Sequence, residues 1–157
     1  MAQPDPRPEL YWALFVLVQQ LSRRMDRRLE PYGLASRQWL LLAVIGRWFP
    51  DRSPTLTEAS ARYGTSRQNV KQIALGLERR GWLRIEDDPT DGRATRLVLT
   101  DRIDIFATPE LQAEGDEFLH SVFAGMRPAE LTRMRDFALM LLIRLDAAPT
   151  DSPGGAP

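Results

Sequence analysis

Residues 55–100 constrain the fold more than any other part of this 157-residue chain. A short run of mixed apolar and polar residues ends at Gly64, and a glycine can supply the positive φ that ends a helix and redirects the chain. Ser66 follows where a helix N-cap belongs, because its hydroxyl can accept from the free backbone N–H groups of the first turn. The sequence therefore predicts two helices, residues 55–63 and 66 to about 80, joined by a tight turn.

The second of these helices has two contrasting sides. An apolar stripe is predicted to face inward and consists of Val70, Ile73, Ala74 and Leu77. The other side is polar over its first two turns, and its candidate DNA-binding residues are Ser66, Arg67, Gln68, Asn69, Lys71 and Gln72. Arginine can bind guanine, and asparagine or glutamine can bind adenine, through paired hydrogen bonds. We therefore expect this helix to enter the major groove of DNA.

Two short strand-like runs follow, at residues 82–85 and 95–99. The segment between them contains Asp-Pro and Asp-Gly, which form turns, so we predict a β-hairpin with a long tip. The candidate DNA contacts of this hairpin and its flank are Arg84, Arg93 and Arg96. Arg93 could reach the minor groove, or it could form an ion pair with Asp88 or Asp91 that shapes the tip. Helix, turn, helix and hairpin in this order are typical of a winged helix-turn-helix.

Both ends of the chain are predicted to be helical. The first helix, from residue 8 to about 30, is apolar nearly all round in its first half, so more than its own domain must cover it. Ser36 is predicted to cap the second helix. The C-terminal helical pattern is interrupted at Thr108-Pro109, which predicts a kink or a new helix capped by Thr108. A last helix is expected over residues 128–145.

Composition and charge are compatible with a site-specific DNA-binding protein. Hydrophobic residues make up 43% of the chain, which is typical of a globular protein. The formal net charge is zero, but residues 62–84 carry six basic groups and one acidic group. For DNA binding, the charge near the contact surface matters more than the net charge of the chain, because phosphate contacts act within about a Debye length, ~8–10 Å.

Other classes of function are disfavoured. The chain has no cysteine, and its one histidine, His120, cannot anchor a multi-histidine metal site alone. The longest apolar runs, residues 14–18 and 139–143, are too short to span a bilayer, and no export signal is visible. We identify no catalytic residue, metal site or cofactor motif. The expectation is a cytoplasmic protein that is not an enzyme and has no membrane partner.

The chain resembles the MarR family of transcriptional regulators over nearly its whole length. The most specific match is the hairpin, where Asp91-Gly92-Arg93 followed by Leu99-Thr100 fits the D-x-R…LT signature of the family. The other segments that resemble it are residues 33–39, 56–58, 66–70, 77–83, 123–126 and 128–131. Their order and spacing are more specific than any one segment.

The resemblance implies a mainly α fold with a small β-hairpin wing, in which helices from both chain ends form a homodimer. The implied organisation is a dimerisation helix (8–33), a winged helix-turn-helix (34–101) and C-terminal dimerisation helices (102–146). The composition of the two ends predicts a disordered N-terminus (1–7) and a disordered tail (147–157). The resemblance also implies a palindromic double-stranded operator, a role that is most often repression, and release by a small aromatic ligand. The candidate ligand pocket is Trp12, Phe15, Gln19, Trp39 and Phe106, although ordinary core packing is the commoner role for any one aromatic residue among them.

One alternative is a winged protein-interaction module that no longer reads DNA. The feature that favours it is the acidic run at residues 86–88, because carboxylates repel phosphate.

Overall fold

A computed structural model of the protein describes residues 4–147. Residues 1–3 of the predicted disordered N-terminus and residues 148–157 of the predicted tail lie outside that range. The chain divides into two compact units, with the boundary between Ile103 and Asp104.

The fold is mainly helical with one two-stranded antiparallel sheet, as predicted. The helices of the first unit are α1 (Arg7–Leu29), α2 (Ser36–Trp48), α3 (Leu56–Tyr63) and α4 (Arg67–Glu78), and its strands are β1 (Leu83–Asp87) and β2 (Thr95–Leu99). A 3₁₀ segment (Asp101–Ala107) spans the boundary and is followed by α5 (Pro109–Val122) and α6 (Pro128–Ala147). None of these described helices is both long and apolar enough to cross a membrane.

The core of the first unit lies where α2, α3, α4 and the hairpin meet. Its largest fully buried side chains include Trp82, Leu41, Ile45, Leu77 and Leu97. These come from three separate elements and the turn before β1, so burial of apolar area holds α4 and the hairpin to the same framework.

Local chemistry sets the boundaries of α3 and α4. Thr55 and Glu58 form a capping box, in which the Glu58 backbone N–H donates to the Thr55 hydroxyl (3.2 Å) and the Thr55 N–H donates to the Glu58 carboxylate (2.8 Å). Gly64 adopts φ +80° after α3, and the Ser66 hydroxyl accepts from the Asn69 N–H (3.2 Å) at the start of α4. The predictions that Gly64 ends α3 and that Ser66 caps α4 are confirmed.

The predicted cap at Ser36 is wrong, whereas Thr108 is the N-cap residue of α5 as predicted but does not cap the helix with its side chain. Ser36 is the first residue of α2 rather than its cap, because the Asp26 carboxylate of α1 accepts from its backbone N–H (2.6 Å). The Gln38 side chain satisfies the preceding N–H, that of Ala35 (3.1 Å). Thr108 does begin a new helix with Pro109 at its first position, but its hydroxyl donates to the Ile105 carbonyl (2.9 Å) instead of capping α5.

Candidate nucleic-acid interface

The two sides of α4 differ as the sequence predicts. Val70, Ile73, Ala74 and Leu77 are buried at helical spacing. The polar residues Ser66, Arg67, Gln68, Asn69, Lys71 and Gln72 are all exposed. The apolar stripe fixes α4 in the core, and this leaves the other side of its first two turns open to a ligand.

Two of the candidate DNA-binding side chains also hold the start of α4 together. The Ser66 hydroxyl caps the helix, and the Asn69 side-chain amide donates to the Thr65 hydroxyl (3.1 Å). Within residues 4–147, the side chains of Arg67, Gln68, Lys71 and Gln72 make no hydrogen bond or ion pair, so they are available for contacts with a partner.

A concave surface of about 250 Å³ lies between the start of α3, the exposed side of α4 and the hairpin. We call it the cleft, and its lining residues are Thr55, Leu56, Thr57, Arg67, Gln68, Lys71, Arg93, Ala94 and Thr95. Three of these carry a positive charge and none carries a negative one. The cleft therefore suits an anionic ligand, and the nearby uncharged polar groups can donate further hydrogen bonds.

The hairpin brings Arg93 to the cleft. β1 and β2 pair with Asp87 opposite Thr95, and the Asp88 N–H donates to the Ala94 carbonyl (2.9 Å) to close the loop. Inside that loop, the Arg93 backbone N–H donates to the Asp91 carboxylate (3.0 Å). In the part of the chain that the structure describes, the Arg93 side chain forms no ion pair with Asp88 or Asp91, so its charge remains available at the cleft.

The other two predicted hairpin contacts are engaged within the protein. Arg84 forms an exposed ion pair with Glu86 (Nε to Oε1, 2.8 Å). Arg96 forms an ion pair with Asp88 (Nε to Oδ2, 2.6 Å) and donates from Nη1 to the Ser53 carbonyl (2.6 Å). The structure thus brings Arg93 together with Arg67 and Lys71, whereas Arg84 and Arg96 are not among the residues of the cleft.

The pairing of Asp88 with Arg96 was not predicted, since the sequence suggested Asp88 only as a partner for Arg93. The pKa of Asp88 is lowered to about 2, mainly because the Thr90 hydroxyl donates to it, and also because of the N–H groups of Thr90 and Asp91 and the charge of Arg96. Asp88 is therefore ionised at neutral pH. The Asp-Pro-Thr sequence, in which a carboxylate can bond to the backbone two residues on, was the available signal for this turn.

The five residues of the candidate ligand pocket have different environments. Trp12 and Phe15 are 56% and 63% exposed on α1, so they are not core residues of this chain alone. Gln19 is exposed, and Trp39 is half-buried in α2. Phe106 is half-buried and belongs to the second unit. Within residues 4–147, no three His, Cys, Asp or Glu residues are grouped as a metal site would require.

A helical core, an exposed polar helix and a two-stranded hairpin with a basic cleft define this chain as a winged helix-turn-helix protein. A sequence model of the MarR family matches residues 32–94. The chain is also 30% identical over 132 residues to the transcriptional repressor MprA of Escherichia coli K12, across 84% of this chain and 74% of that protein. It belongs to the MarR family of DNA-binding transcriptional regulators, which confirms the predicted resemblance, and it is not an enzyme.

Solved structures agree with this assignment. The transcriptional regulator PA3341 is 26% identical with a TM-score of 0.67, over 88% of this chain and 99% of that one. Sco3205 of Streptomyces coelicolor, a MarR family regulator solved in complex with DNA, is 21% identical with a TM-score of 0.73, over 100% and 98% of the two chains. At that identity the second likeness concerns the fold alone.

Proposed function

We propose that this protein is a cytoplasmic, homodimeric repressor that binds a palindromic operator through two copies of the cleft and of the exposed side of α4. The observation that carries the proposal is the grouping of Arg67, Lys71 and Arg93 around one cleft that has no acidic lining residue. DNA presents closely spaced negative phosphates, and the positive charge of the cleft is complementary to them. The repressor role is supported by the relative MprA, which is a transcriptional repressor.

The candidate DNA-binding side chains of α4 and the hairpin divide into two proposed roles. Gln68, Asn69 and Gln72 are proposed to read base edges, because their amides can donate and accept at adenine. Lys71 and Arg84 are proposed to contact phosphates, which positions the protein without selecting sequence. Arg67 is suited to guanine, and Arg93 to the narrow minor groove, where the negative potential is enhanced.

The homodimer is supported by the apolar surface at the two chain ends. On α1, Trp12 and Phe15 are exposed, and on α6 the side chains of Leu142 and Ile143 are 61% and 70% exposed. Large contiguous apolar patches are uncommon on monomers and mark interaction surfaces. A two-fold symmetric dimer presents two recognition helices about one helical turn of DNA apart, or a multiple of it, which explains why the operator is expected to be palindromic.

The most specific part of this proposal is that a small aromatic ligand releases the protein from DNA. The candidate pocket remains Trp12, Phe15, Gln19, Trp39 and Phe106. Aromatic rings with exposed faces can stack on an aromatic effector, and an amide can bond its polar group. A thermal-shift screen with aromatic acids tests this part, with Trp12→Ala as the variant that should abolish any shift found.

The DNA-binding part is tested by selecting duplexes from a random-sequence pool with the purified full chain. We expect enrichment of one palindromic sequence, which we call the selected operator. A Gln68→Ala, Asn69→Ala double variant should change the enriched sequence, whereas Gln112→Ala, an exposed glutamine on α5, should not. Binding of the wild-type chain to all duplexes alike, without preference over competitor DNA, would contradict the proposal.

A further inference from the structure

Asp88 is the one acidic residue of the hairpin loop that is buried, with only 3% of its side chain exposed. One carboxylate oxygen accepts from the Thr90 N–H (2.8 Å), the Thr90 hydroxyl (2.7 Å) and the Asp91 N–H (3.1 Å). The other oxygen accepts from Nε of Arg96 (2.6 Å). Asp88 thus fixes the first half of the loop and connects it to β2.

Arg96 connects β2 in turn to the segment before α3. Its Nη1 donates to the Ser53 carbonyl, 43 residues away in the sequence (2.6 Å). Arg96 also forms an antiparallel bridge with Thr55, and the neighbouring Leu97 N–H donates to the Pro54 carbonyl (2.9 Å). Thr55 lines the cleft, so this bridge joins Arg96 to a lining residue at the start of α3.

We propose that Asp88 and Arg96 are positioning residues for DNA binding, which together hold Arg93 at the cleft opposite Arg67 and Lys71. The cleft residues Arg93, Ala94 and Thr95 all lie between the two members of this pair in the sequence. The pair therefore fixes both ends of the segment that presents Arg93, and it joins that segment to the start of α3. This inference rests on the proposed function, since it assigns a role within DNA binding.

The geometry favours this role over a direct DNA contact by Arg96. Two of its guanidinium nitrogens are bonded to protein acceptors, and its side chain is only 29% exposed. Its positive charge lies against a carboxylate, so a phosphate approaching Arg96 would also approach Asp88. Arg93 has no such partner among the described residues and would gain most from a fixed backbone, because an ordered side chain loses less entropy on binding.

The test measures affinity for the selected operator by fluorescence anisotropy with Asp88→Asn, Arg96→Met and Arg93→Ala, alone and combined. Asp88→Asn keeps an acceptor for Thr90 but turns an amide towards Arg96, so it breaks the pair mildly. We expect Arg93→Ala and Arg96→Met each to weaken binding about 10-fold, as for loss of one charged contact per protomer, and Asp88→Asn to weaken it by about 3-fold because the pair is only partly broken. In the Arg93→Ala background, the other two substitutions should change affinity less than about twofold, because nothing remains for them to position.

Amide hydrogen exchange of the free protein gives a second readout that needs no DNA. Exchange at the Leu97 N–H should be faster in Arg96→Met than in wild type and unchanged in Arg93→Ala, with circular dichroism showing that all variants are folded. The inference is overturned if Arg96→Met weakens binding equally with and without Arg93, or if Leu97 stays protected. A wild-type chain that selects no operator overturns the proposed function instead, and exchange at Leu97 still reports on the pair.

Discussion

Lys71 offers the sharpest test of the proposal that the cleft binds DNA. It lies in the second turn of α4, is exposed, and lines the cleft beside Arg67 and Arg93. Replacing it by glutamine removes the ammonium charge and keeps a polar side chain of similar reach. Because Lys71 forms no ion pair within residues 4–147, the substitution leaves no unpaired carboxylate behind. Its effect on stability should therefore be small.

The magnitude follows from counterion release. Each neutralised phosphate contributes about 0.9 to the slope of log affinity against log salt concentration. The proposed homodimer has two copies of Lys71, so Lys71→Gln should reduce the slope by about 1.8. Between about 50 and about 200 mM salt, the wild type should then lose about 12-fold more affinity than the variant.

The assay is fluorescence anisotropy with the selected operator over a series of NaCl concentrations. Arg133→Gln is the matched control, because it removes one positive charge from an exposed position on α6, outside the first unit. An unchanged slope for Lys71→Gln would show that the lysine contacts no phosphate. An equal reduction for both variants would show a long-range charge effect instead of a contact at the cleft.

Three further predictions concern folding and assembly. Gly64→Ala should lower the free energy of unfolding in urea by about 1–2 kcal/mol, because φ is +80° there, whereas Gly46→Ala inside α2 should raise it by up to about 1 kcal/mol. The pKa of Glu58 is lowered to about 2, chiefly by Arg52. The stability that Glu58 adds is therefore present above its unfolded pKa and is lost as the pH falls towards 2. The difference in Tm between wild type and Glu58→Gln should shrink over the same pH range. Leu142→Glu should convert the proposed dimer to a folded monomer in analytical ultracentrifugation, since Leu142 is exposed and apolar.

Each of these has an outcome that contradicts it. Equal effects of the two glycine substitutions would mean that backbone conformation is not the cause. A constant Tm difference from neutral to acidic pH would remove the role of the Glu58 carboxylate. A Leu142→Glu chain of unchanged mass would show that this part of α6 lies outside the dimer interface, and an Arg133→Glu chain should keep the wild-type mass in any case.

The features that were predictable from sequence are those in which a residue acts on its near neighbours. Gly64 ends α3 through its own backbone angle, and Ser66 caps α4 through a bond that spans three residues. The two sides of α4 follow from helical spacing alone. These interactions depend little on the rest of the fold, so residue type and position are sufficient to predict them.

The features that escaped prediction depend on partners that are distant in sequence. Asp26 of α1 satisfies the first N–H of α2, so the expected cap at Ser36 was not needed. Both proposed ion pairs of Arg93 were local, but the pair that forms joins Asp88 to Arg96 across the hairpin. Choosing between these arginines requires the register of β1 and β2, which turn residues in a long loop do not determine.

The acidic run at residues 86–88 is mostly neutralised by ion pairs within the hairpin. Glu86 is paired with Arg84 (2.8 Å) and Asp88 with Arg96 (2.6 Å), so only Asp87 of the three lacks an ion pair in the described part of the chain. Arg67, Lys71 and Arg93, by contrast, keep their charges available at the cleft. The feature that favoured a protein-interaction module therefore does not oppose DNA binding. A neutral chain with a small, local positive charge should bind non-specific DNA weakly, so the affinity of the proposed homodimer for its operator is expected to come from base contacts and from two clefts acting together.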